Sequence, residues 1–572
     1  MKLLCALCVV CGLVSSALAI DREAFTVTKY DLEIRLEPDQ QRLGARGKIT
    51  LRNESPLPQK IAVLQISSSL DWRSIKVDGK AVQLVSQPYT SDIDHTGALS
   101  EAIVTLPAVI KPKESVELEI GYEGTIVQDG TRLIQMGIPE DIAKHSSWDQ
   151  ISATFTAVRG AGYVAWYPIA TESADFSEGN SMFQVADRWR AREAESEFSA
   201  KISMARDSGE QPPALVCAHG DTGGIEQLGR AQKVSAECSW KPLCTVTPTF
   251  VMARYDLDVG AKHQLVRVFR LPDHQAGAGL YSDAIESAFK FVSDWFGAPS
   301  SAIAIADVAD SDAAPFESGT LLLTSMAREE TKLAEINLVH ELVHSAFTSS
   351  RPWINEGLAH FAEALYREQN QEGRAAALDF LNLHRTTFVE AEKDVAVSPQ
   401  KNPGEPLVST FDESYYRSKA AYVWWMLRDM IGEEALKQVI HNYRAADDKD
   451  SKYMEQVIAA AAKRDLGWFF DDWVYHDRGL PDFHVLAVHP WKSTKETQIV
   501  TVTIENLGSA GAEVPFTIRF GSGQITRRIE VRGKSTATTR VEVPGTAAEV
   551  VVNDGSVPES DLTNNIFKIT EP

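Results

Sequence analysis

The hydrophobic period of the chain changes twice, and that change limits its possible folds more than any other feature of the sequence. From Phe25 to roughly Leu265 apolar and polar residues alternate. Tyr30, Leu32, Ile34 and Leu36 interleave with Asp31, Glu33 and Arg35, Ile49 and Leu51 with Lys48, Thr50 and Arg52, and Val116, Leu118 and Ile120 repeat the theme. Period-two alternation between turn residues marks antiparallel sheets with one wet face, so this stretch reads as a large β-sandwich-like domain. Near 275 the period lengthens. Helical patterns cover Tyr281 to Phe296, Lys332 to Phe347, Pro352 to Glu368, Ala375 to Glu390, Lys419 to Ile431, Glu434 to Tyr443 and Tyr453 to Ala461, with buried strands at Ile303 to Val308 and Thr320 to Leu323. From Thr497 alternation returns through Ile499, Val500, Val502, Ile504, Val514, Phe516, Ile518, Ile529, Val531, Val541 and Val543, a length and strand count suited to a small immunoglobulin-like sandwich. The expected architecture is multidomain α+β, with a β-rich unit over 20–265, a helix-dominated unit over 266–487 and an Ig-like β-sandwich over 488–572. A chain of 572 residues is too long for one hydrophobic core.

Lys2, the apolar run Leu3 to Leu13 and the small-x-small sequence Ala17-Leu18-Ala19 predict a signal peptide over 1–19. The mature chain is then expected to start near Ile20 and to work in the periplasm or outside the cell. The run is too short to cross a bilayer and no later one is long enough, so no transmembrane segment is expected. Cys5, Cys8 and Cys11 lie in this leader, which leaves lipoprotein attachment as a lesser alternative. Cys217, Cys238 and Cys244 remain after cleavage; an oxidising compartment predicts one disulfide among them and one thiol left over, with the pairing open. The net charge is −22 and no Lys/Arg-rich run occurs, which argues against a nucleic-acid partner.

The chemistry is concentrated at His340-Glu341-Leu342-Val343-His344. On a helix, residues four apart share one face, so both imidazoles reach one ion while the intervening glutamate projects beside it as a general base. Ile336, Val339, Val343 and Phe347 form an apolar stripe without Pro or Gly, which supports that helix. Composition alone produces such a pentapeptide now and then, and its null is an ordinary surface helix, so a third ligand is the test: catalytic zinc takes three protein ligands and keeps one position open. Trp353-Ile354-Asn355-Glu356-Gly357-Leu358-Ala359 follows, behind Pro352 as a helix start with Ser349 or Ser350 as cap. Glu356 is the expected third ligand of one Zn2+ ion. His360 and Glu363 share its face and stay open as ligands, although a carboxylate there serves better by orienting a ligand imidazole. A metzincin would need Gly and His where Phe347 and Ser350 stand.

These residues resemble the aminopeptidase N and leukotriene hydrolase family of gluzincin metallopeptidases, which implies a thermolysin-like catalytic domain. Ala314-Pro315-Phe316-Glu317-Ser318 resembles the family's exopeptidase strand, of which the glutamate is retained; the resemblance gives Glu317 the substrate's free α-amine. Tyr415-Tyr416-Arg417-Ser418-Lys419-Ala420-Ala421 resembles the helix that carries the transition-state tyrosine, with Tyr416 the expected donor and Tyr415 its alternative. Asp465 to Pro481 resembles the segment that closes the catalytic domain. The family spacing favours Glu363 as ligand, whereas the Asn-Glu-Gly-Leu-Ala signature surrounds Glu356. The family's large C-terminal helical domain is missing, and the C-terminal module resembles a bacterial Ig-like adhesion-type domain, expected to bind a protein or a cell-surface component. The implied activity is zinc-dependent aminopeptidase cleavage of peptides, with Glu341 and Tyr416 as catalytic residues. An endopeptidase on the same site, a lipid epoxide hydrolase and a non-catalytic adhesion protein are the rivals.

Overall fold

The computed structural model describes residues 20–178, 181–207, 212–218, 224–228, 231–259, 264–327, 330–397, 406–492, 497–521 and 523–569. The expected signal segment 1–19 lies outside them. No described helix is long and apolar enough to cross a membrane.

The N-terminal part is built on an eight-stranded sheet whose centre pairs Phe25–Glu37 with Arg42–Asn53 and with Glu197–Asp207. Tyr30, Leu32, Ile34 and Leu36 point inward, and the charged residues between them face out. The sheet is mixed: Phe25–Glu37 runs parallel to Glu197–Asp207, with Lys29 opposite Glu197 and Leu36 opposite Met204. That departs from the wholly antiparallel expectation, because alternation reports which face is buried and is blind to strand direction. Two three-stranded sheets complete the unit: Gln59–Ser67 with Ala98–Ile110 and Gln83–Thr90, and Ala214–Cys217 with Phe250–Ala253 and Phe155–Val158. Tyr163 packs edge-on against Phe316, while Trp166 and Tyr167 pack against Phe198 in the core, tilted and edge-on respectively. A Cys217–Cys238 disulfide ties one small sheet to the large one, and Cys244 is a buried free thiol. The helices Thr131–Gln135 and Glu140–Ser146 are too short to announce themselves by period, whereas Ser181–Arg192 buries Met182, Val185, Ala186 and Trp189 at helical spacing, a signal the strand-like expectation for this stretch left out.

The next unit holds a five-stranded sheet in the order Asp256–Val259, Val266–Arg270, Ile303–Asp307, Leu321–Thr324, Phe316–Ser318. Its first strand lies before the expected boundary at 265/266. The last strand is antiparallel and at the edge. Helices Gln275–Phe296, Thr331–Ala346, Pro352–Asn370, Arg374–Val397, Ala420–Ile431, Glu433–Asn442 and Tyr453–Ala462 pack around it. Beyond Phe483 a three-stranded sheet (Phe483–Lys492, Gln498–Asn506, Ser535–Val543) faces a four-stranded one (Gly523–Val531, Ala512–Phe520, Ala547–Val552, Ile566–Lys568). Val500, Val502 and Ile504 bury against Val514, Phe516 and Ile518, and this core is continuous with that of the helical unit. Trp473 Nε1 donates to Gly511 O at 2.8 Å across the junction.

Candidate active site

The helix Thr331–Ala346 buries Ala334, Ile336, Leu338, Val339, Leu342 and Val343 together. From Leu338 to Ser345 every residue of this helix is buried, so its second half lies inside the protein and carries His340, Glu341 and His344 with it. The following helix starts on Pro352, with Arg351 at the cap position and no side-chain cap. Ser349 and Ser350 therefore do not fill the expected capping role. Ser349 Oγ instead accepts the Arg351 N–H at 3.1 Å, and Asn355 Oδ1 accepts the Ser349 N–H at 3.1 Å. These bonds satisfy the loop's backbone donors locally and let the second helix fold back on the first after five intervening residues, with eleven between His344 and Glu356.

The fold-back brings three donors together. His340 Nε2 and His344 Nε2 lie 3.0 Å apart. Glu356 Oε1 stands 3.5 Å from His344 Nε2, and its Oε2 3.9 Å from His340 Nε2. The ligand atoms of these three buried residues fall within 4.8 Å of one another. Glu363 sits on the other side of the same imidazole: its Oε1 accepts from His340 Nδ1 at 2.8 Å. With the proton held on Nδ1, the Nε2 lone pair is turned toward His344 and Glu356. His360 Nδ1 also lies 3.0 Å from Glu363 Oε1, and its ring stands 5.0 Å from that of His384.

The charge balance tests whether a cation fits. Glu317 Oε2 is 3.0 Å from His340 Nε2, so Glu317, Glu341, Glu356 and Glu363 all converge around one histidine pair. Both Glu341 oxygens and Glu356 Oε2 are buried with no hydrogen-bond partner. Buried carboxylates without compensation are costly, and a divalent ion between the two Nε2 atoms and Glu356 offsets them. Two imidazoles and one carboxylate are a zinc donor set with an open position.

The ionisation of these groups follows from burial and neighbours. Burial, reinforced by Glu317 and Glu356, pushes the Glu341 carboxyl well above the usual carboxylate range. Burial also opposes ionisation of Glu363, but the bond from His340 and the adjacent His360 outweigh it and hold it down to about 2. Glu356 is kept below its ordinary value against burial by His344, Arg417 and His340. Burial drives His344 down to about 4 and His384 down to about 3.

Tyr415 and Tyr416 lie in a π-helical turn, Ser414–Lys419, that leads into the helix Ala420–Ile431. Such turns recur at functional sites because the extra residue re-aims the side chains. The turn is pinned by Lys419, whose Nζ donates to Glu392 Oε1 at 2.8 Å and to Asp477 Oδ1 at 3.0 Å. Tyr416 is buried: burial raises its hydroxyl well above its ordinary value, and Glu413, Arg417, Arg190 and Glu356 all act on it. The Tyr415 ring lies 5.3 Å from Lys419 Nζ. Arg417 Nε stands 3.8 Å from Glu356 Oε2, and Asn355 Nδ2 3.2 Å from His344 Nδ1.

Arg417, Glu413, Arg190 and Asn355 were not singled out from sequence. Arg417 and Asn355 had a signal, since each adjoins a candidate residue. Glu413 lies just before the turn that carries Tyr416, and Arg190, which pairs with it at 3.2 Å, comes from a distant segment and had no signal.

Residues 315–473, which span Glu317 to Trp473, match the family described as the Peptidase family M1 domain. No curated protein matches the chain in sequence. Among solved structures, the M1 zinc metallopeptidase from Deinococcus radiodurans aligns at 16% identity over 80% of this chain and 95% of its own, with a TM-score of 0.46. A point mutant of that enzyme aligns at 16% identity over 80% and 96%, with a TM-score of 0.45.

Proposed function

We propose that the chain, a zinc metallopeptidase of family M1 through its residues 315–473, is an aminopeptidase that removes N-terminal residues from peptides. Glu317 carries this reading. Its carboxylate stands 3.0 Å from His340 Nε2 on an edge strand. Burial opposes its charge, but His340 and Arg417 hold it well below the ordinary carboxylate range. An anion fixed beside the metal ligands suits the α-ammonium of a substrate whose first peptide bond lies at the centre.

His340 Nε2, His344 Nε2 and Glu356 would hold the zinc, with Glu363 fixing the tautomer of His340. Zinc, when bound, supplies Lewis acidity that polarises a scissile carbonyl and makes water acidic near neutral pH. Glu341 takes the proton of the attacking water on one of its two unpartnered oxygens and delivers it to the leaving amine. Tyr416, kept protonated by burial, donates its O–H to the oxyanion that develops on the carbonyl, a preorganised contact worth about 2–4 kcal/mol in comparable sites. The apolar packing around the helix Thr331–Ala346 keeps bulk water from these groups. The Cys217–Cys238 bridge supports an oxidising compartment, in keeping with export to the periplasm or the exterior.

The test compares free-amine aminoacyl reporters with their N-acetylated counterparts. The wild type should prefer free amines. Glu341→Gln should lose on the order of 10²–10⁴ in rate with zinc retained, and Glu317→Gln should lose the free-amine preference through KM. Equal rates on free and acetylated substrates would replace this reading by the endopeptidase one. Undiminished activity of Glu341→Gln would remove the mechanism itself.

A further inference from the structure

Arg417 lies beside Glu356 and is neither a proposed metal ligand nor the proposed amine anchor. Its side chain is 29% exposed, yet its Nε is buried and makes no hydrogen bond. Nε stands 3.8 Å from Glu356 Oε2, beyond bonding range. Burial opposes the charge, but Glu413, Tyr416, Glu356 and Glu317 all stabilise it. The guanidinium thus lies in the field of both the proposed amine anchor, Glu317, and the metal ligand Glu356. In an N-terminal residue the scissile carbonyl is one carbon from the amine, so it must sit between those same two carboxylates.

The donors available there are unequal. Tyr416 has a single O–H, for which Glu413, itself engaged by Arg190 at 3.2 Å, is a competing acceptor. A guanidinium offers five N–H donors in a fixed fork and stays charged at any working pH. We propose that Arg417 is a second electrophile of the reaction: it donates N–H hydrogen bonds to the scissile carbonyl oxygen as negative charge develops, alongside Tyr416. No proton leaves Arg417; it stabilises the oxyanion by charge and hydrogen bonding alone. Its place beside Glu356 lets the same cation offset the excess of buried carboxylates between turnovers. The proposal rests on the aminopeptidase reading of the site.

The experiment uses full-length Arg417→Ala and Arg417→Lys with measured zinc content. The readouts are kcat and KM on a free-amine reporter, and calorimetric affinity for two probes. One probe is a phosphinic pseudodipeptide, a tetrahedral anion with a free amine; the other is the matching primary amine without the phosphinyl group. Removing one oxyanion donor costs on the order of 10²–10³ in kcat in comparable sites. Arg417→Ala should show such a loss with little change in KM, a parallel loss of phosphinic affinity and unchanged affinity for the simple amine. Arg417→Lys should fall between. Added guanidinium ion should restore part of the Arg417→Ala rate and none of the Glu341→Gln rate. Wild-type kcat and phosphinic affinity in Arg417→Ala would overturn the proposal. So would loss of zinc in both variants, which would make Arg417 a support of Glu356, or a defect confined to KM on acidic substrates, which would make it a carboxylate subsite. An inactive Glu341→Gln beside an unimpaired Arg417→Ala would leave the peptidase reading standing and remove this inference alone.

Discussion

Replacing Gly357 by alanine would put a methyl carbon 2.6 Å from the Cβ of Ala420 and 3.1 Å from Cδ1 and Nε1 of Trp424. Carbon atoms rest at about 3.5–4.0 Å, so the helices Pro352–Asn370 and Ala420–Ile431 would have to part by roughly 1 Å. Neither neighbour can yield by changing rotamer. Ala420 has no rotamer to change, and Trp424 is fully buried, stacked on Trp353 at 5.2 Å and donating Nε1 to Trp353 O at 3.2 Å. Overpacking of this kind costs about 1–3 kcal/mol, and alanine's better helix propensity returns about 1 kcal/mol. The net loss of stability is therefore small, about 0–2 kcal/mol. The functional loss should be larger. Glu356 adjoins Gly357 on one helix, and the turn of Tyr416 runs straight into Ala420 on the other, so the separation draws the proposed metal ligand away from the proposed oxyanion donor. A misplacement of about 1 Å costs roughly 100-fold in rate. Calorimetric Tm, zinc affinity by chelator competition and kcat/KM together separate the two effects. A Gly357→Ala protein with wild-type zinc affinity and rate would refute the claim that this helix contact sets the site.

Glu363→Gln should weaken zinc binding about 10–100-fold, the usual cost of losing the partner behind a ligand imidazole; unchanged affinity in chelator competition would mean that Glu363 does not orient His340. Lys419→Met should destabilise the fold by about 3–5 kcal/mol, because it strands Glu392 and Asp477 without a cation. Burial already pushes Glu392 up against the pull of Lys419. Without that pull the folded-state pKa rises further above the unfolded value, so the folded variant binds the extra proton and loses stability as pH increases. The Tm gap to wild type should therefore widen between about pH 5 and 8, and a gap that is flat or narrows with pH would contradict this account.

The helix that carries His340, Glu341 and His344 was legible in sequence because its apolar residues recur at helical spacing, and the strand Phe25–Glu37 because its residues alternate. Both signals are local. The parallel pairing of that strand with Glu197–Asp207 was not legible, since alternation is the same for either direction. The π-helical turn at Ser414–Lys419 was read only as an uncertainty between Tyr415 and Tyr416; one extra residue in a turn shifts the register without altering composition. The capping role expected of Ser349 or Ser350 did not appear because the helix begins on Pro352, which leaves the cap position to Arg351.

Taken alone, the amino-acid order determined which donors exist and which of them share a helix face, since a separation of four residues fixes angular position wherever the helix lies. It could not determine which face of His340 each carboxylate meets. Only the folded chain placed Glu356 on the Nε2 side and Glu363 on the Nδ1 side, joined Cys217 to Cys238, and set Arg417 beside Glu356. Those relations are distances between segments far apart in the chain, and packing sets such distances through contacts that no local period records.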